Sequence, residues 1–365
     1  MREKEHIRLD TGEETILLPL RADVKKIYIE VTTCCNFNCI TCIRHSWSDE
    51  ETSLSWHDFL SVVTQLKAFP DIQSVHFGGF GEPLLHPKIS DMIRVLHEQG
   101  YQTEMISNGS LLTPTVCEEL LDAGLDWLFV SLDGSDQGSY AAMRPGASYQ
   151  EVVNNLTRLQ NEKKKRRQAT PFLGVEFVAT KRNFFHLPQL RRVCDDLGAS
   201  RLIVTHVLPY HDSMKAEILY DRQHTWEEFG SEASQLSVKT GLPLELRTER
   251  NCRFVEGKSF VISAAGKVAP CYAFMHEYDC YVLGRKKRMK PYHIGDIREN
   301  TLAELWQKEE YVRFRWAVRN SLFPSCVDCL QADGCVYLLD NQGDCWGNEP
   351  SCGDCLWARN LIVCP

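Results

Sequence analysis

The stretch Val31-Thr-Thr-Cys34-Cys35-Asn-Phe-Asn-Cys39-Ile-Thr-Cys42 follows directly on an apolar, β-branched run at 27–31. Cys35, Cys39 and Cys42 are spaced C-x3-C-x2-C. Three thiolates on one loop can bind three irons of a cubane cluster and leave the fourth without a protein ligand, whereas an electron-carrying cluster normally takes four cysteines. An open iron suits a catalytic centre, by the same logic as the open position of a catalytic zinc. Cys34 is a further thiol on the loop, but adjacent residues point in different directions, so it reads as a packed thiol.

Outward from this loop the chain reads as α/β. Apolar runs recur at 27–31, 75–78, 103–107, 127–132, 173–179 and 202–208. Between them lie helical periodicities at 56–69, 89–99, 115–123, 149–160 and 187–197, and Gly100, Gly124 and Gly198 stand where three of these helices must stop. Six strands alternating with helices predict a buried parallel sheet whose loops gather at the strands' C-terminal ends. The run Lys163-Lys-Lys-Arg-Arg167 ends a helix and reads as a solvated face. Residues 211–251 form a less patterned bridge with a helical stretch at 225–236. After Cys252 the periodicity stops, apart from a helix expected at 302–315, and so irregular a segment needs bound metal to hold its shape.

Composition narrows the function classes. A chain of 365 residues with net charge −8 lacks the basic balance of a protein held to nucleic acid by phosphate contacts. No apolar run approaches the ~18–20 residues of a membrane helix, and the charged start lacks the apolar core of a signal peptide. The expected location is cytoplasmic, with no membrane or nucleic-acid partner. Of 16 cysteines, ten fall between Cys252 and Cys364 and four between Cys34 and Cys42. Thiols packed this way in a large chain without an export signal point to metal rather than to a disulfide scaffold.

The cysteine loop resembles the signature of the radical S-adenosylmethionine (SAM) superfamily, placed after the first strand of a partial barrel. The resemblance covers about residues 26–210, and Thr41 stands where the family carries an aromatic residue that touches the adenine. Further motifs follow in order. Gly78-Gly79-Phe80-Gly81-Glu82-Pro83 is similar to the family's glycine-rich segment for the methionyl amine, and its glycines let the backbone approach a ligand closely. Ser107-Asn108-Gly109 follows the third strand and Ser131-Leu132-Asp133-Gly134 the fourth. Ser131 and Asp133 alternate with Leu132 and so face one way, matching ribose contacts, and Arg144 matches an arginine that pairs with the SAM carboxylate. The resemblance thus implies that Gly79, Gly81, Glu82, Ser107, Asn108, Ser131, Asp133 and Arg144 bind SAM and that Cys35, Cys39 and Cys42 hold its 4Fe–4S cluster. It also implies reductive cleavage of SAM to a 5′-deoxyadenosyl radical, which abstracts a substrate hydrogen inside a water-excluding barrel.

The tail resembles a SPASM domain, the auxiliary-cluster extension of maturing radical SAM enzymes. Cys252 is followed by 13 residues, Gly266, four residues and Cys271, and then comes Cys326-x2-Cys329-x5-Cys335. Cys345 follows after nine residues, where the family pattern has three. Pro324-Ser-Cys326-Val-Asp-Cys329-Leu repeats as Pro350-Ser-Cys352-Gly-Asp-Cys355-Leu at six of seven positions, two metal-gripping turns of one design. The expected ligand sets are Cys252, Cys271 and Cys345 for one auxiliary 4Fe–4S cluster, and Cys326, Cys329 and Cys335 for a second closed by one or more of Cys352, Cys355 and Cys364. C-x2-C pairs also bind zinc, the rival metal. Cys280 reads as a packed or surface thiol, and Cys117 and Cys194 as core residues.

The fold implied is α/β: a partial (β/α)6 TIM-like barrel at 26–210 after an extension at 1–25, a bridge at 211–251, and a small Cys-rich iron–sulfur domain at 252–365. The activity implied is that of a radical SAM maturase, supplied with electrons by a ferredoxin or flavodoxin, acting on a protein or its cofactor. Cys42-Ile-Arg-His-Ser-Trp47, Pro270-Cys-Tyr272 and the end from Cys355-Leu-Trp-Ala-Arg359 to Cys364-Pro365 are similar to the maturases associated with tungsten aldehyde:ferredoxin oxidoreductases. A tungsten–pterin cofactor or its apo-enzyme is then the expected substrate. The alternatives are a maturase of a ribosomally made peptide and a non-enzymatic iron–sulfur or zinc scaffold. His45, Asp49, Glu176, His206, Tyr210 and His211 fall where they can face the barrel mouth, and spacing singles out none of them as an acid or base.

Overall fold

Short apolar runs backed by one-sided helices build the central sheet of the computed structural model, which describes residues 5–10, 14–47, 49–220, 237–240 and 250–363. The helical stretch expected at 225–236 and Cys364 lie outside the described residues. An N-terminal hairpin pairs β1 (His6–Asp10) with β2 (Thr15–Pro19). The α/β repeat then runs β3 (Lys26–Ile29), α1 (Trp56–Leu66), β4 (Ser74–Phe77), α2 (Ile89–Glu98), β5 (Gln102–Ser107), α3 (Pro114–Ala123), β6 (Trp127–Ser131), α4 (Gln137–Met143), α5 (Tyr149–Arg166), β7 (Phe172–Ala179), α6 (Leu187–Asp196), β8 (Arg201–His206) and β9 (Ser237–Thr240). The tail carries α7 (Arg253–Glu256), β10 (Ser259–Ile262), β11 (Lys267–Ala269), β12 (Tyr278–Val282), β13 (Arg285–Met289), β14 (Gly295–Asp296), α8 (Leu302–Gln307) and α9 (Glu309–Arg319).

Strands β3 to β9 pair in chain order, all parallel. Helices cover this sheet through apolar stripes at i, i+3, i+4 and i+7. In α1 the stripe is Phe59, Val62, Val63 and Leu66, and in α2 it is Ile89, Met92, Ile93 and Leu96, all buried. Each such side chain contributes about 1.5–3 kcal/mol by leaving water. Gly100, Gly124 and Gly198 take φ of 85°, 78° and 65°, the left-handed values that end a helix. Cys117 and Cys194 are core residues of α3 and α6. No helix among the described residues is long and apolar enough to cross a membrane.

Three features depart from the sequence reading. The sheet does not end with the barrel, because β10 pairs parallel with β3, and β11 and β14 extend it antiparallel to make ten strands. The helix expected at 302–315 is two helices, α8 and α9, hinged at Lys308, whose backbone is extended (ψ 128°). Arg315 fills the corner, its guanidinium 3.7 Å from the Trp306 ring and 4.2 Å from that of Tyr311. Finally, Lys163 is not part of a solvated face. It is buried, and its ammonium donates to Pro171 O at 2.5 Å and Gln160 Oε1 at 3.0 Å.

Candidate active site

Glu30 to Cys42 cross the C-terminal end of β3 as a loop pinned by its neighbours. Thr33 N–H donates to Thr52 O (2.9 Å), Ile40 N–H to Met143 O (3.0 Å), and the Tyr210 hydroxyl to Ile40 O (2.9 Å). Held this way, Cys35, Cys39 and Cys42 line one cavity of about 280 Å³ together with Thr41. Cys35 and Cys42 also border a second space of about 310 Å³ on the loop's other side. Burial pushes all three thiols up, Cys42 to about 11, and the neighbouring thiols raise Cys39 and Cys42 further. Such thiols ionise when a cation replaces the water they have lost, which suits iron ligands. Among the described residues, no three His, Cys, Asp or Glu converge as ligands of a single ion do; a cubane gives each cysteine its own iron. Cys34 turns its thiol to Glu51, 3.5 Å away.

The turn after β4 presses against this loop. A Cβ on Gly81 would stand 2.1 Å from Thr32 O, so no other residue fits there, and Glu82 N–H donates to Cys34 O at 2.8 Å. The buried Glu82 carboxylate accepts from Ser107 Oγ (2.8 Å), Asn108 N–H (2.7 Å) and Leu84 N–H (3.1 Å). Burial raises its pKa against the pull of these bonds and of Arg144. Asn108 Nδ2 donates to Asn36 Oδ1 at 2.8 Å, tying the loop after β5 back to the cysteine loop.

Of the eight residues expected to bind SAM, seven line the cavity with the three cysteines: Gly79, Gly81, Glu82, Ser107, Asn108, Ser131 and Arg144. Asp133 is placed behind Arg144 instead. It is fully buried, accepts from Arg144 Nε and a terminal guanidinium nitrogen at 2.9 and 2.7 Å, and takes Val178 N–H at 2.8 Å. Burial alone would lower the Arg144 pKa, but Asp133 beside it holds the guanidinium charged.

The cavity has further walls, of which only Glu176 and His206 were among the residues expected at the barrel mouth. His76 from β4 lies at the cavity, with Nδ1 3.2 Å from Glu104 Oε2, which also accepts from Lys26 Nζ at 2.6 Å. Burial pushes Glu104 up, but His76 and Lys26 outweigh it and hold it at about 2. Glu176 and His206 both reach the cavity, and burial pushes His206 down to about 4. His45, Tyr210, His211 and Asp49 do not line it. The tail closes the mouth with Tyr272, Trp357, Ile362 and Val363. It is fastened there by His206 N–H to Leu361 O (3.2 Å) and Val363 N–H to Thr205 Oγ1 (2.9 Å). Histidine in a buried strand run is a signal that could have marked His76; the tail residues carry no such mark.

The tail cysteines group differently from their spacing. Cys252, Cys271, Cys352 and Cys355 line one cavity of about 170 Å³. Burial drives all four thiols up, Cys252 to about 12, and nearby thiols raise Cys252, Cys271 and Cys352 further. Cys345, expected beside Cys252 and Cys271, is exposed and within electrostatic range of Cys326. The reason lies in the repeat. Its two turns stack through Cys326 N–H to Gly353 O at 2.9 Å, and a Cβ on Gly353 would meet Cys326 Sγ at 2.6 Å. Cys352 and Cys355 of the second turn line the four-thiol cavity, and Cys326 and Cys329 of the first do not. Arg359, three residues beyond the second turn, pairs with Asp328 and Ser325 of the first, and the buried pair Lys287–Asp354 (2.6 Å) acts on both Cys326 and Cys355. Cys280 also borders the four-thiol cavity, buried and pushed up to about 12. Leu208, Trp357, Ile362 and Val363 are common to this cavity and the first, so one layer of side chains separates them.

A three-cysteine loop at the mouth of a parallel barrel, backed by a second thiol-lined cavity, defines a radical SAM enzyme with an auxiliary iron–sulfur module. The radical SAM superfamily model matches residues 29–174, and the SPASM model, an iron–sulfur cluster-binding domain, matches residues 252–330. The chain is 35% identical over 346 residues to the tungsten-containing aldehyde ferredoxin oxidoreductase cofactor-modifying protein of Pyrococcus furiosus, covering 94% of this chain and 97% of that one. It belongs to that family within the radical SAM superfamily. It is 25% identical over 317 residues to an AdoMet-dependent heme synthase of Methanosarcina barkeri, covering 78% of this chain and 82% of that one. SuiB of Streptococcus suis, crystallised with its precursor peptide SuiA, shares the fold at TM-score 0.61 and 16% identity, over 87% of this chain and 72% of that one. The chain is therefore an enzyme that uses a 4Fe–4S cluster and SAM, carries auxiliary iron–sulfur binding in its tail, and requires a reductant. The scaffold alternative is set aside.

Proposed function

We propose that this enzyme matures the tungsten–pterin cofactor of an aldehyde:ferredoxin oxidoreductase, or the apo-enzyme that receives it. The observation behind this reading is the cavity that joins Cys35, Cys39 and Cys42 to the Gly79–Glu82 turn and Arg144, in a chain related over nearly its whole length to a cofactor-modifying protein. Cys35, Cys39 and Cys42 hold the SAM cluster, Arg144 meets the SAM carboxylate, and Asp133 positions Arg144. Cys252, Cys271, Cys352 and Cys355 hold one auxiliary cluster, and Cys326, Cys329, Cys335 and Cys345 a second. When bound, the three-cysteine cluster supplies the electron that cleaves SAM. This chain's own part is to orient SAM, exclude water beneath Trp357 and Ile362, and place one C–H bond of the substrate within reach. A ferredoxin or flavodoxin is the natural donor. A cytoplasmic location accords with the 15 cysteines of the described residues, all free thiols.

Anaerobic reconstitution tests the assignment. About 12 iron and 12 sulfide per chain are expected, as three cubanes require, with 5′-deoxyadenosine formed under dithionite and lost in Cys35→Ala. The substrate is tested by adding the tungsten–pterin cofactor, or the apo-enzyme, with SAM and reading its mass. If neither changes, the tungsten reading is refuted while the radical chemistry stays intact.

A further inference from the structure

Glu30 directly follows β3 and is wholly buried. Its Oε1 accepts Phe80 N–H at 3.1 Å, and its Oε2 accepts Ala264 N–H at 3.3 Å and faces His276 Nε2 at 2.9 Å. The other ring nitrogen, Nδ1, lies 2.8 Å from Asp49 Oδ2. His276 comes from the tail, is 7% exposed, and packs on the Trp47 ring (centroids 4.1 Å apart) and near that of Phe80 (5.8 Å). Both ring nitrogens thus face carboxylate oxygens, and only the imidazolium has an N–H for each.

We infer that His276 is a positioning residue for SAM: charged, it bridges Glu30 and Asp49 and so holds the glycine turn in its binding shape. The inference rests on the reading of the cavity as the SAM site. Gly79, Phe80 and Gly81 form part of that cavity's wall. The turn lies directly on the Glu30 side chain, since a Cβ on Gly79 would come within 2.6 Å of Glu30 Cγ. A buried carboxylate stays charged in place only if it is paired and fully hydrogen-bonded. Without the imidazolium, Glu30 keeps two backbone donors and loses its counter-charge, and the turn loses its support.

The charged and titratable groups that bear on the ring are Glu30, Asp49 and His293, and Trp47 and Phe80 pack on it without charge. Burial works against the His276 cation, but Glu30 and Asp49 outweigh it and hold its pKa above the usual histidine value. His293 is lowered by burial and so adds no opposing charge near neutrality. The sign follows. A raised histidine keeps the bridge intact at neutral and acid pH, and the bridge weakens as pH rises through the raised value. The neutral ring then serves one carboxylate and releases the other.

The test is the dissociation constant of SAM on the reconstituted holoenzyme, read by equilibrium dialysis from slightly acid to alkaline pH. Wild type should weaken about tenfold toward alkaline pH, the scale of one charge-assisted bond. His276→Gln, which keeps a donor but no charge, should be weaker by about the same factor at neutral pH and independent of pH, with iron content unchanged. Asp49→Asn should move the midpoint of the wild-type drop to lower pH. A His276→Gln enzyme with wild-type affinity and pH profile overturns the inference. Should that variant not take up iron, an unmoved midpoint in Asp49→Asn overturns it alone. Wild type that neither binds SAM nor forms 5′-deoxyadenosine at any pH refutes the SAM-site reading instead.

Discussion

The Arg144 guanidinium meets the cavity only because Asp133 holds two of its nitrogens from behind. Both side chains are buried, so the pair has no water to fall back on. Asp133→Asn keeps the size and the bond to Val178 N–H but leaves the cation uncompensated. Breaking a buried pair on one side costs about 3–5 kcal/mol. The reconstituted variant should melt several degrees lower and bind SAM more weakly, and a variant with unchanged melting point and affinity would show that the pair is dispensable. The sequence put Asp133 on the same wall as Ser131 because strand residues two apart share a face. That rule stops where the strand stops: β6 ends at Ser131, and Asp133 is already in the turn beyond it. Glu30 shows the converse. A carboxylate inside an apolar strand run is visible in the sequence, but its partner His276 lies 246 residues away and carries no pattern that joins the two.

Among the elements, the contact of the cysteine loop with the glycine turn is the least tolerant. Gly81 admits no side chain, and the atom in the way is backbone oxygen, which cannot swing aside as a side chain would. Gly81→Ala therefore has to move Thr32–Cys34 or the turn itself. Iron in the anaerobically reconstituted variant should fall by about four per chain, one cubane, with the tail clusters retained and 5′-deoxyadenosine formation lost. Full iron with wild-type SAM cleavage would show that the loop tolerates the shift. These barrel elements were legible because a parallel sheet writes itself as continuous apolar runs and its helices as i, i+3, i+4 stripes. The tail obeys neither rule. The apolar clusters Leu302, Leu305, Trp306 and Tyr311, Val312 are separated by Gln307-Lys-Glu-Glu310, strong helix formers that read as a continuing helix although the chain bends among them. The grouping of the cysteines was hidden because spacing along the chain says nothing of how two similar turns stack, and only the second turn's thiols line the cavity with Cys252 and Cys271.

At the scale of the molecule, barrel and tail share one sheet and one cavity. Strand β3, which carries the cysteine loop, is flanked by β4 on one side and by β10 on the other. Its residues pair with β10 along their whole length, Lys26 with Ser259 through Ile29 with Ile262. The tail also supplies Tyr272, Trp357, Ile362 and Val363 to the cavity wall and His276 to Glu30. A chain ending at residue 251 would thus expose an unpaired edge on its most important strand, a surface that recruits other strands. It would also strand a buried carboxylate without its counter-charge. Such a truncated chain should aggregate or stay partly unfolded, seen as absence of a monomer peak in size-exclusion chromatography and of a cooperative melt by circular dichroism. It should not retain iron on Cys35, Cys39 and Cys42. A monomeric, cooperatively melting fragment that binds four iron would mean that the barrel holds its SAM site by itself, and that the tail is an attachment rather than a wall of the active site.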